Sequence, residues 1–296
     1  MKSRLFLLLA LVLSAAAPAS AEGNLKTQLQ KIIAGADARV GVAVIADGDT
    51  LTVNGSPDYP LMSVMKLHQA VAVARILEER GLPLTTTVHI YVQDLKAGTW
   101  SPLRDARPGG GFDMSVAELL RYTLQQSDNN ACDILFDRFA APEHVDSIIR
   151  SMGFRDFRIA ATEDEMHRDL KKCRENVSSP LSAADLMDRL ASGTLPLGKE
   201  YADFIRSTLL ECRTGLNRLP LPLEGSGALI GHKTGTSDRE ADGRWTGIND
   251  VGFVLLPDGR SYTLAVFISD SALGMEENEK LIADISGAVY SELSGR

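Results

Sequence analysis

The sequence lacks the features of two large classes of protein. Lysine and arginine contribute 31 residues against 39 aspartates and glutamates, and the formal net charge of the 296-residue chain is −8. Proteins that bind nucleic acid need a basic surface to neutralise phosphates, so we expect no nucleic-acid partner. Beyond residue 21, no apolar run approaches the roughly 18 residues that cross a bilayer. We therefore expect no membrane-spanning segment in that part of the chain.

Metal-binding and nucleotide-binding patterns are also missing. Four of the histidines and the three cysteines are scattered along the chain, and their spacing matches no zinc site. There is no glycine-rich phosphate loop either. We therefore expect no cofactor and no metal ion. The residues concerned are His68, His89, His144, His232, Cys132, Cys173 and Cys212.

The start of the chain has the layout of a cleavable secretory signal. Lys2 and Arg4 form a basic start, residues 5–13 are apolar, and the small residues 19–21 precede Glu22. We therefore predict a signal peptide at 1–21 and a mature protein that is soluble, exported and periplasmic.

The cysteines allow one further prediction. In an oxidising compartment three cysteines form at most one disulfide and leave one thiol over. Cys132 lies in the apolar run 131–136, which predicts a buried core thiol. The spacing does not decide whether any two of the three pair. No pattern indicates a subunit interface, so we expect a monomer.

The hydrophobic pattern predicts strands towards both ends of the chain and helices in the middle. Alternating residues around glycine turns indicate two hairpins, and apolar residues at three- and four-residue steps indicate the helices. Ser115 and Glu118 predict a capping box at one helix start. The predicted strands are 39–45, 50–53, 250–256 and 261–269. The predicted helices are 25–34, 64–79, 115–126, 130–140, 143–152, 182–190 and 275–294.

These elements predict an α/β (α+β) fold. An antiparallel sheet is built from both chain ends and flanked by helices, and a central all-helical lobe accompanies it. We expect a single domain at 22–296, with the α/β lobe at about 22–60 and 200–296 and the helical lobe at about 61–199. A ligand site is expected in the cleft between the lobes.

Ser63 and Lys66 open a strongly helical segment and share one face of it. The Ser63 hydroxyl would lie at the positive end of the helix dipole. The amine beside it can accept its proton if burial and nearby charge lower the amine's pKa. A chain of this length contains such a pair by chance, and alone it is more typical of an N-cap serine with a solvated lysine.

Ser127, Asp128 and Asn129 lie between two predicted helices. Short polar side chains cap the exposed amides of a helix junction, which is a structural reason for this sequence. The chemical alternative is a Ser127 hydroxyl that passes a proton to a leaving group and an Asn129 amide that holds a substrate amide.

Lys233, Thr234 and Gly235 follow an apolar stretch that predicts a strand. A cation, a hydroxyl and a residue without Cβ allow a ligand to lie along an edge strand and pair with its backbone. The alternative is a lysine and a glycine that protect a sheet edge against aggregation.

Together, and in this order, the three motifs resemble the signature motifs of the penicillin-recognising serine enzymes, which include class A β-lactamases and penicillin-binding proteins. The resemblance runs over nearly the whole mature chain. It implies a β-lactamase/transpeptidase-like fold, a small-molecule β-lactam substrate and a nucleophilic Ser63. Ser127 would relay a proton to the lactam nitrogen. Substrate-binding roles are implied for Asn129, Lys233, Thr234, Gly235 and Thr236.

A deacylating carboxylate distinguishes class A β-lactamases from their transpeptidase relatives, and it lies in a Glu-x-x-Leu-Asn pattern. The best match here makes Glu163 that base, with Met166 and His167 in the leucine and asparagine places. Glu165 is the competing carboxylate. The histidine resembles an extended-spectrum, cephalosporin-hydrolysing subgroup of class A, and the family likeness places His167 among the substrate-binding residues. The loop-anchoring arginine of the family is replaced by Ala161, so the sequence does not show how this loop is held.

Two further positions match the family. Trp100 resembles an aromatic residue at the cleft mouth that packs against the bound substrate, although a tryptophan in an interfacial core would fit equally well. Arg218 resembles an arginine that supplies positive charge for the substrate carboxylate. Arg239 and Arg244 are the alternatives, because other members draw this arginine from the strand after the Lys-Thr-Gly motif.

The resemblance implies a class A β-lactamase that hydrolyses penicillins and cephalosporins through an acyl-enzyme on Ser63 and confers β-lactam resistance. The acylation base is left open between Lys66 and Glu163. Two other functions use the same motifs: a D,D-peptidase or penicillin-binding protein, and a β-lactam-binding sensor that acylates without turnover. The deacylating carboxylate and the absence of a predicted membrane anchor favour the β-lactamase.

Overall fold

The computed structural model describes residues 21–295, with the backbone alone for residues 21–23. Apart from its last residue, the predicted signal peptide at 1–21 lies outside these described residues. Among the helices of residues 21–295, none is long and apolar enough to cross a membrane.

The secondary structure alternates along the chain as follows. The strands are β1 (Arg39–Ala46), β2 (Asp49–Val53), β3 (Tyr59–Pro60), β4 (Thr87–Ile90), β5 (Phe112–Ser115), β6 (Phe157–Arg158), β7 (Val177–Ser178), β8 (Leu229–Thr236), β9 (Trp245–Leu255) and β10 (Ser261–Ser271). The helices are α1 (Ala21–Ile33), α2 (Met65–Glu79), α3 (Pro102–Ala106), α4 (Val116–Gln125), α5 (Asn129–Arg138), α6 (Pro142–Ser151), α7 (Glu163–Arg168), α8 (Pro180–Ser192), α9 (Lys199–Leu210) and α10 (Met275–Ser294).

The large sheet has the order β2-β1-β10-β9-β8, and each neighbouring pair is antiparallel. Strands from the two ends of the chain meet in the middle of the sheet, where Val42 of β1 lies opposite Val266 of β10. The predicted antiparallel sheet built from both chain ends is therefore confirmed. β8 forms one edge of this sheet.

The sheet separates two hydrophobic cores because successive side chains of a strand point to opposite faces. Val42 and Val266 belong to the core that includes residues of α1 and α10. Ala43, Phe253 and Phe267 belong to the core shared with the central helices. The interior of the fold is thus a helix layer, a sheet and a second group of helices.

α2 is the central helix of the second core. Its side chains are buried almost without interruption from Met65 to Leu77, and it contacts α4, α5, α6 and α9. A helix that is apolar around most of its circumference is held by packing on all sides. Its N-terminal end, where Ser63 and Lys66 lie, is therefore fixed in position.

Most predicted helix and strand ends agree with the structure within a few residues, and the predicted capping box of Ser115 and Glu118 is present. β9 begins at Trp245, five residues before the predicted start at 250. The sequence prediction lacks α9, whose N-cap position holds Gly198 without a side-chain cap, so the usual start signal is missing. Two short sheets, β3-β7-β6 and β4-β5, accompany the central helices.

None of the three cysteines forms a disulfide. Cys132 is fully buried among apolar side chains, which confirms the predicted core thiol. Cys173 and Cys212 are buried as well.

A methyl group at Gly231 should destabilise the contact between β8 and α9. A Cβ there would meet the Phe253 ring at 2.4 Å and the backbone nitrogen of Leu210 at 3.3 Å. We expect Gly231→Ala to lower the free energy of unfolding by about 1–3 kcal/mol, as overpacking does, in a urea titration. Gly35→Ala is the matched control because nothing lies within 4 Å of a Cβ there. Equal stability of the two variants would contradict this packing.

Candidate active site

Ser63 lies in a 3₁₀ turn, Met62–Val64, that leads directly into α2. Neither the turn nor α2 has a side-chain cap, so the Ser63 hydroxyl is not used as an N-cap. Lys66 is not solvated either, because its side chain is 0% exposed. The purely structural alternative for this motif, an N-cap serine with a solvated lysine, is therefore wrong.

Lys66 brings the first and second motifs together. Its Nζ donates to Ser63 Oγ at 3.0 Å, to Asn129 Oδ1 at 2.7 Å and to the Ser127 carbonyl oxygen at 2.8 Å. Its Nζ also lies 2.9 Å from Glu163 Oε1. A single buried ammonium thus contacts four of the residues that the sequence singled out.

The carboxylate of Glu163 faces the same point. Ser63 Oγ donates to Glu163 Oε1 at 3.1 Å, and Glu163 is the first residue of α7. The side chain of Glu165 has a different task, since it accepts the backbone N–H of Thr162 at 2.9 Å and completes the capping box of α7. Of the two competing carboxylates, only Glu163 is directed at Ser63.

The loop that carries Glu163 is held by Asn176 instead of an arginine. The fully buried Asn176 side chain accepts the N–H groups of Ala160 at 2.7 Å and Ala161 at 2.9 Å, and it donates to the Ala161 carbonyl at 2.8 Å. The backbone carbonyl of Asn176 accepts the N–H of Leu61 at 2.8 Å. Asn176 therefore ties this loop to the segment just before Ser63.

Asp133 of α5 holds the start of α7. Its two carboxylate oxygens accept the N–H groups of Glu163 and Asp164, each at 2.9 Å. Burial and the neighbouring Glu163 carboxylate raise the pKa of Asp133 to about 6. Lys96 lies 3.4 Å from Asp133 and 3.1 Å from Asp164, which partly balances the negative charge.

The second motif caps a helix through Asp128 and places the hydroxyl of Ser127 beside Lys233. Asp128 is the N-cap of α5 and also accepts hydrogen bonds from Ser101 and the Leu103 N–H. Ser127 adopts a left-handed backbone conformation with φ 56°. Its Oγ accepts a hydrogen bond from Lys233 Nζ at 2.9 Å. The structural role falls on Asp128, and the hydroxyl of Ser127 faces the site.

The third motif lies on the edge strand β8. Burial, followed by the charge of Lys66, lowers the pKa of Lys233 to about 7. Thr234 Oγ1 contacts Thr214 Oγ1 at 2.6 Å. Gly235 packs against the Ser63 turn, since a Cβ there would meet the Leu61 carbonyl oxygen at 2.7 Å. The glycine therefore has a packing reason in addition to the ligand contact that the sequence suggested.

Arg218 reaches the end of β8 from the segment after α9. Its guanidinium donates to the carbonyl oxygens of Gly235 at 3.2 Å and Asn249 at 3.1 Å, and to Thr236 Oγ1 at 2.9 Å. It also forms an ion pair with Glu279 at 3.3 Å. The arginine is buried and held in place next to the third motif.

The two alternative arginines have other partners. The guanidinium of Arg239 stacks on the ring of Trp245, 4.6 Å from its centroid, and donates to the Leu273 carbonyl at 3.0 Å. Arg244 donates to the Asp270 carbonyl at 2.6 Å and pairs with Asp37 at 3.0 Å. Of the three candidates, Arg218 is the one whose guanidinium contacts β8.

Residues of all three motifs and of the α7 loop line a cleft with a cavity volume of about 420 Å³, among them Ser63, Ser127, Asn129, Glu163, Thr234 and Thr236. Trp100 lies at the edge of the cleft, and 61% of it is exposed, so it is not a core tryptophan. Its Nε1 donates to the Gln126 carbonyl at 2.8 Å. His167 of α7 also lines the cleft, and its ring lies close to Gly98. Within residues 21–295, no group of three or more His, Cys, Asp or Glu side chains is arranged so that it could hold a metal ion.

Three residues of this arrangement were missed by the sequence analysis. Asn176 and Asp133 act through backbone amides of a loop, and nothing in their neighbours along the chain indicates such partners. Thr214 lies four residues before Arg218, and the sequence analysis singles out only the arginine of this segment. The hydroxyl of Thr214 contacts that of Thr234. Their roles depend on contacts between distant segments, which one sequence does not reveal.

Comparison with known proteins identifies the family. Residues 24–293 match the model of the Beta-lactamase enzyme family. A β-lactamase of Phocaeicola vulgatus is 40% identical, covering 91% of this chain and 84% of that protein. The extended-spectrum β-lactamase PER-1 of Pseudomonas aeruginosa is 35% identical, covering 90% of this chain and 86% of that protein.

A solved structure agrees with both relatives. The crystal structure of a class A β-lactamase from Bacteroides cellulosilyticus superposes with a TM-score of 0.89 at 34% identity, over 94% of this chain and 100% of that one. The fold and the sequence point to the same family. The chain belongs to the class A serine β-lactamases.

Proposed function

We propose that this β-lactamase opens the lactam ring of penicillins and cephalosporins through an acyl-enzyme on Ser63. The observation that carries the proposal is the contact of one hydroxyl with both an ammonium and a carboxylate. Ser63 Oγ lies 3.0 Å from Lys66 Nζ and 3.1 Å from Glu163 Oε1. A serine becomes a nucleophile when a neighbouring base removes its proton as it attacks.

Acylation begins when Ser63 Oγ attacks the lactam carbonyl carbon. We assign the resulting oxyanion to the backbone N–H groups of Ser63 and Thr236. The proton of Ser63 passes either to the Glu163 carboxylate, 3.1 Å away, or to Lys66 after its ammonium has given a proton to Glu163, 2.9 Å away. The leaving nitrogen takes a proton from Ser127, whose hydroxyl lies between Lys233 at 2.9 Å and Lys66 at 3.4 Å.

The substrate carboxylate binds at the end of β8, where positive charge is concentrated. Lys233 and Arg218 supply that charge, and Thr234 and Thr236 supply hydroxyl donors. Gly235 leaves the strand backbone open to the ligand. On the opposite side, Asn129, Trp100 and His167 contact the acylamide side chain. The cleft that these residues line accommodates a molecule of β-lactam size.

Deacylation uses Glu163 as the general base for a water molecule. The carboxylate is directed at Ser63 Oγ, so a water that it binds beside Ser63 would be within reach of the ester carbonyl. Asp133 and Asn176 act as positioning residues for Glu163, because they hold the loop from which it projects.

The proposal includes the location, the processing and the oligomeric state of the protein. Residues 1–21 would be removed as a signal peptide, and residues 22–296 would act as a single periplasmic domain and a monomer that confers β-lactam resistance. The α/β lobe at about 22–60 and 200–296 and the helical lobe at about 61–199 would enclose the cleft between them. Because PER-1 is an extended-spectrum enzyme, we include cephalosporins with bulky side chains among the substrates.

Replacing the deacylation base should separate the two chemical steps. We expect Glu163→Ala to react with a chromogenic cephalosporin and then stall, with one acyl group on Ser63 in the intact mass and turnover reduced at least about a thousandfold. Acylation that stays fast would assign the first proton transfer to Lys66. Glu165→Ala is the matched control, because the Glu165 carboxylate caps α7 and should be dispensable for turnover.

The unmodified protein distinguishes the three functions in the same assay. Many turnovers with return to the free mass are expected for the β-lactamase. A stoichiometric burst with a stable acyl group would indicate the sensor or the D,D-peptidase instead. Ser63→Ala should remain unmodified by the drug, and a mass increase in that variant would place the nucleophile elsewhere.

Loss of the Asn176 side chain should impair deacylation more than acylation. Asn176→Ala leaves the N–H groups of Ala160 and Ala161 without their buried partner, which costs about 1–3 kcal/mol of stability. We expect a lower melting temperature. We also expect the acyl-enzyme to decay more slowly, by a factor of up to about ten. Stopped-flow measurement of the burst and the steady state separates the two rates. An unchanged steady-state rate would rule out the positioning role.

The charge of Lys233 predicts the basic limb of the pH profile. Because the pKa of Lys233 is lowered to about 7, the ammonium is lost as the pH rises through this value. We expect kcat/KM for an anionic cephalosporin to fall above about pH 7, mainly through a higher KM, since this ratio reports the free enzyme. Lys233→Arg keeps its charge and should move the limb upwards. A flat profile to pH 9 would contradict the assignment.

A further inference from the structure

A second group of reactive side chains lies behind β8, outside the catalytic cleft. Cys212 follows α9, and its Sγ lies 3.5 Å from Thr214 Oγ1. Thr214 Oγ1 in turn contacts Thr234 Oγ1 at 2.6 Å, and both threonines line the cleft. One hydroxyl therefore separates the thiol from the third motif.

Cys212 has a buried imidazole and a buried carboxylate behind it. His232 Nδ1 lies 2.9 Å from Asp250 Oδ1, and the same imidazole neighbours the thiol of Cys212. Burial disfavours a charged imidazole, but the carboxylate of Asp250 and the thiol raise the pKa of His232 to about 10. Burial likewise opposes a thiolate, but His232 and Lys233 lower the pKa of Cys212 to about 7.

The other two cysteines lack such partners. Burial raises the pKa of Cys132 well above its usual value and that of Cys173 to about 12. The chain thus contains three buried thiols of which one is set in a Cys-His-Asp arrangement. Thiolates at sites next to a protonated histidine are the reactive ones in proteins.

We propose that Cys212 is a modification site for small disulfides, and that its modification inactivates the cleft from behind. The Cys212 thiolate, paired with the imidazolium of His232, attacks one sulfur of the disulfide. A new S–S bond forms to Cys212, the S–S bond of the reagent breaks, and its other half leaves as a thiolate. No net oxidation beyond this exchange is needed.

Inactivation follows from the tight packing between this segment and β8. A Cβ added at Gly215 would meet Thr234 Cγ2 at 2.6 Å and Arg218 Cδ at 3.1 Å, so there is no spare space on this side of the strand. A group attached to Cys212 must push Thr214 and Gly215 towards Thr234. The carboxylate-binding residues of β8 and Arg218 would then be displaced together.

Dithiodipyridine, a small disulfide that releases a coloured thione, is the probe. Cys212 is 9% exposed, against 0% for Cys132 and 2% for Cys173, so it is the one of the three thiols that the reagent meets most readily. We expect Cys212 to react at least about tenfold faster than Cys132 or Cys173, as located by peptide mass mapping. The kcat/KM for a chromogenic cephalosporin should fall at least about tenfold in parallel, and dithiothreitol should restore it.

Two matched variants give the controls. Cys212→Ser should retain its activity and lose its sensitivity to the reagent, and Cys212→Ala serves if the serine variant does not fold. A chain with Cys132→Ala and Cys173→Ala should remain as sensitive as the unmodified protein. In each variant circular dichroism checks that the fold is present before the reagent is added.

Several results would overturn the proposal. These are no labelling of Cys212 in the folded protein, faster labelling of Cys132 or Cys173, or complete labelling of Cys212 without loss of activity. The loss of activity rests on the proposed function, whereas the labelling does not. If the protein never turned over a β-lactam, labelling of Cys212 would still be measured, so the two failures are distinguishable.

Discussion

The buried ammonium of Lys66 is the contact on which the geometry of the site depends. It has no exposure to water, and it contacts groups from the turn before α2, the junction of α4 and α5, and the loop that carries α7. A buried charge costs several kcal/mol unless it is paired and hydrogen-bonded. Glu163 and Asn129 supply this compensation, so the segments that carry them are held at fixed distances from Ser63. The charge of Lys66 therefore assembles the site around Ser63.

The backbone is constrained in two of the segments that Lys66 joins. Met62, just before the nucleophile, and Ser127 both adopt left-handed conformations, with φ 49° and 56°. Non-glycine residues rarely do so, and each costs about 1 kcal/mol or more. Gly235 presses against the first of these turns from the other side. The packing of Gly235 against the turn holds this conformation, and the hydroxyls of Ser63 and Ser127 both remain within 3.4 Å of Lys66 Nζ.

The sequence alone predicts what depends on local pattern. Helices such as α2 and α10 follow from apolar periodicity, and the capping box of Ser115 follows from two residues three positions apart. α9 was missed because Gly198 gives no start signal. The three short motifs indicate a function only when they are taken together, in their order along the chain, and compared with a known family. The partner of Ala161's loop was not predictable, since Asn176 acts by pairing with backbone groups 15 residues away. The Cys212 cluster likewise joins three distant segments, and no spacing rule exists for such a group.

The cleft reconciles an acidic protein with an anionic substrate. The net charge of −8 would repel a carboxylate at long range, but salt screens this repulsion beyond roughly 10 Å. Beside the cleft, Lys66, Lys233 and Arg218 are buried, so their charges act on its lining with little screening. Under the proposed function, Arg218 next to Thr236 attracts the substrate carboxylate, and Glu163 next to Ser63 repels it. We therefore expect a bound anion to be oriented with its carboxylate towards β8. In that orientation its carbonyl would lie at Ser63, between the Lys66 ammonium and the carboxylate proposed to activate water.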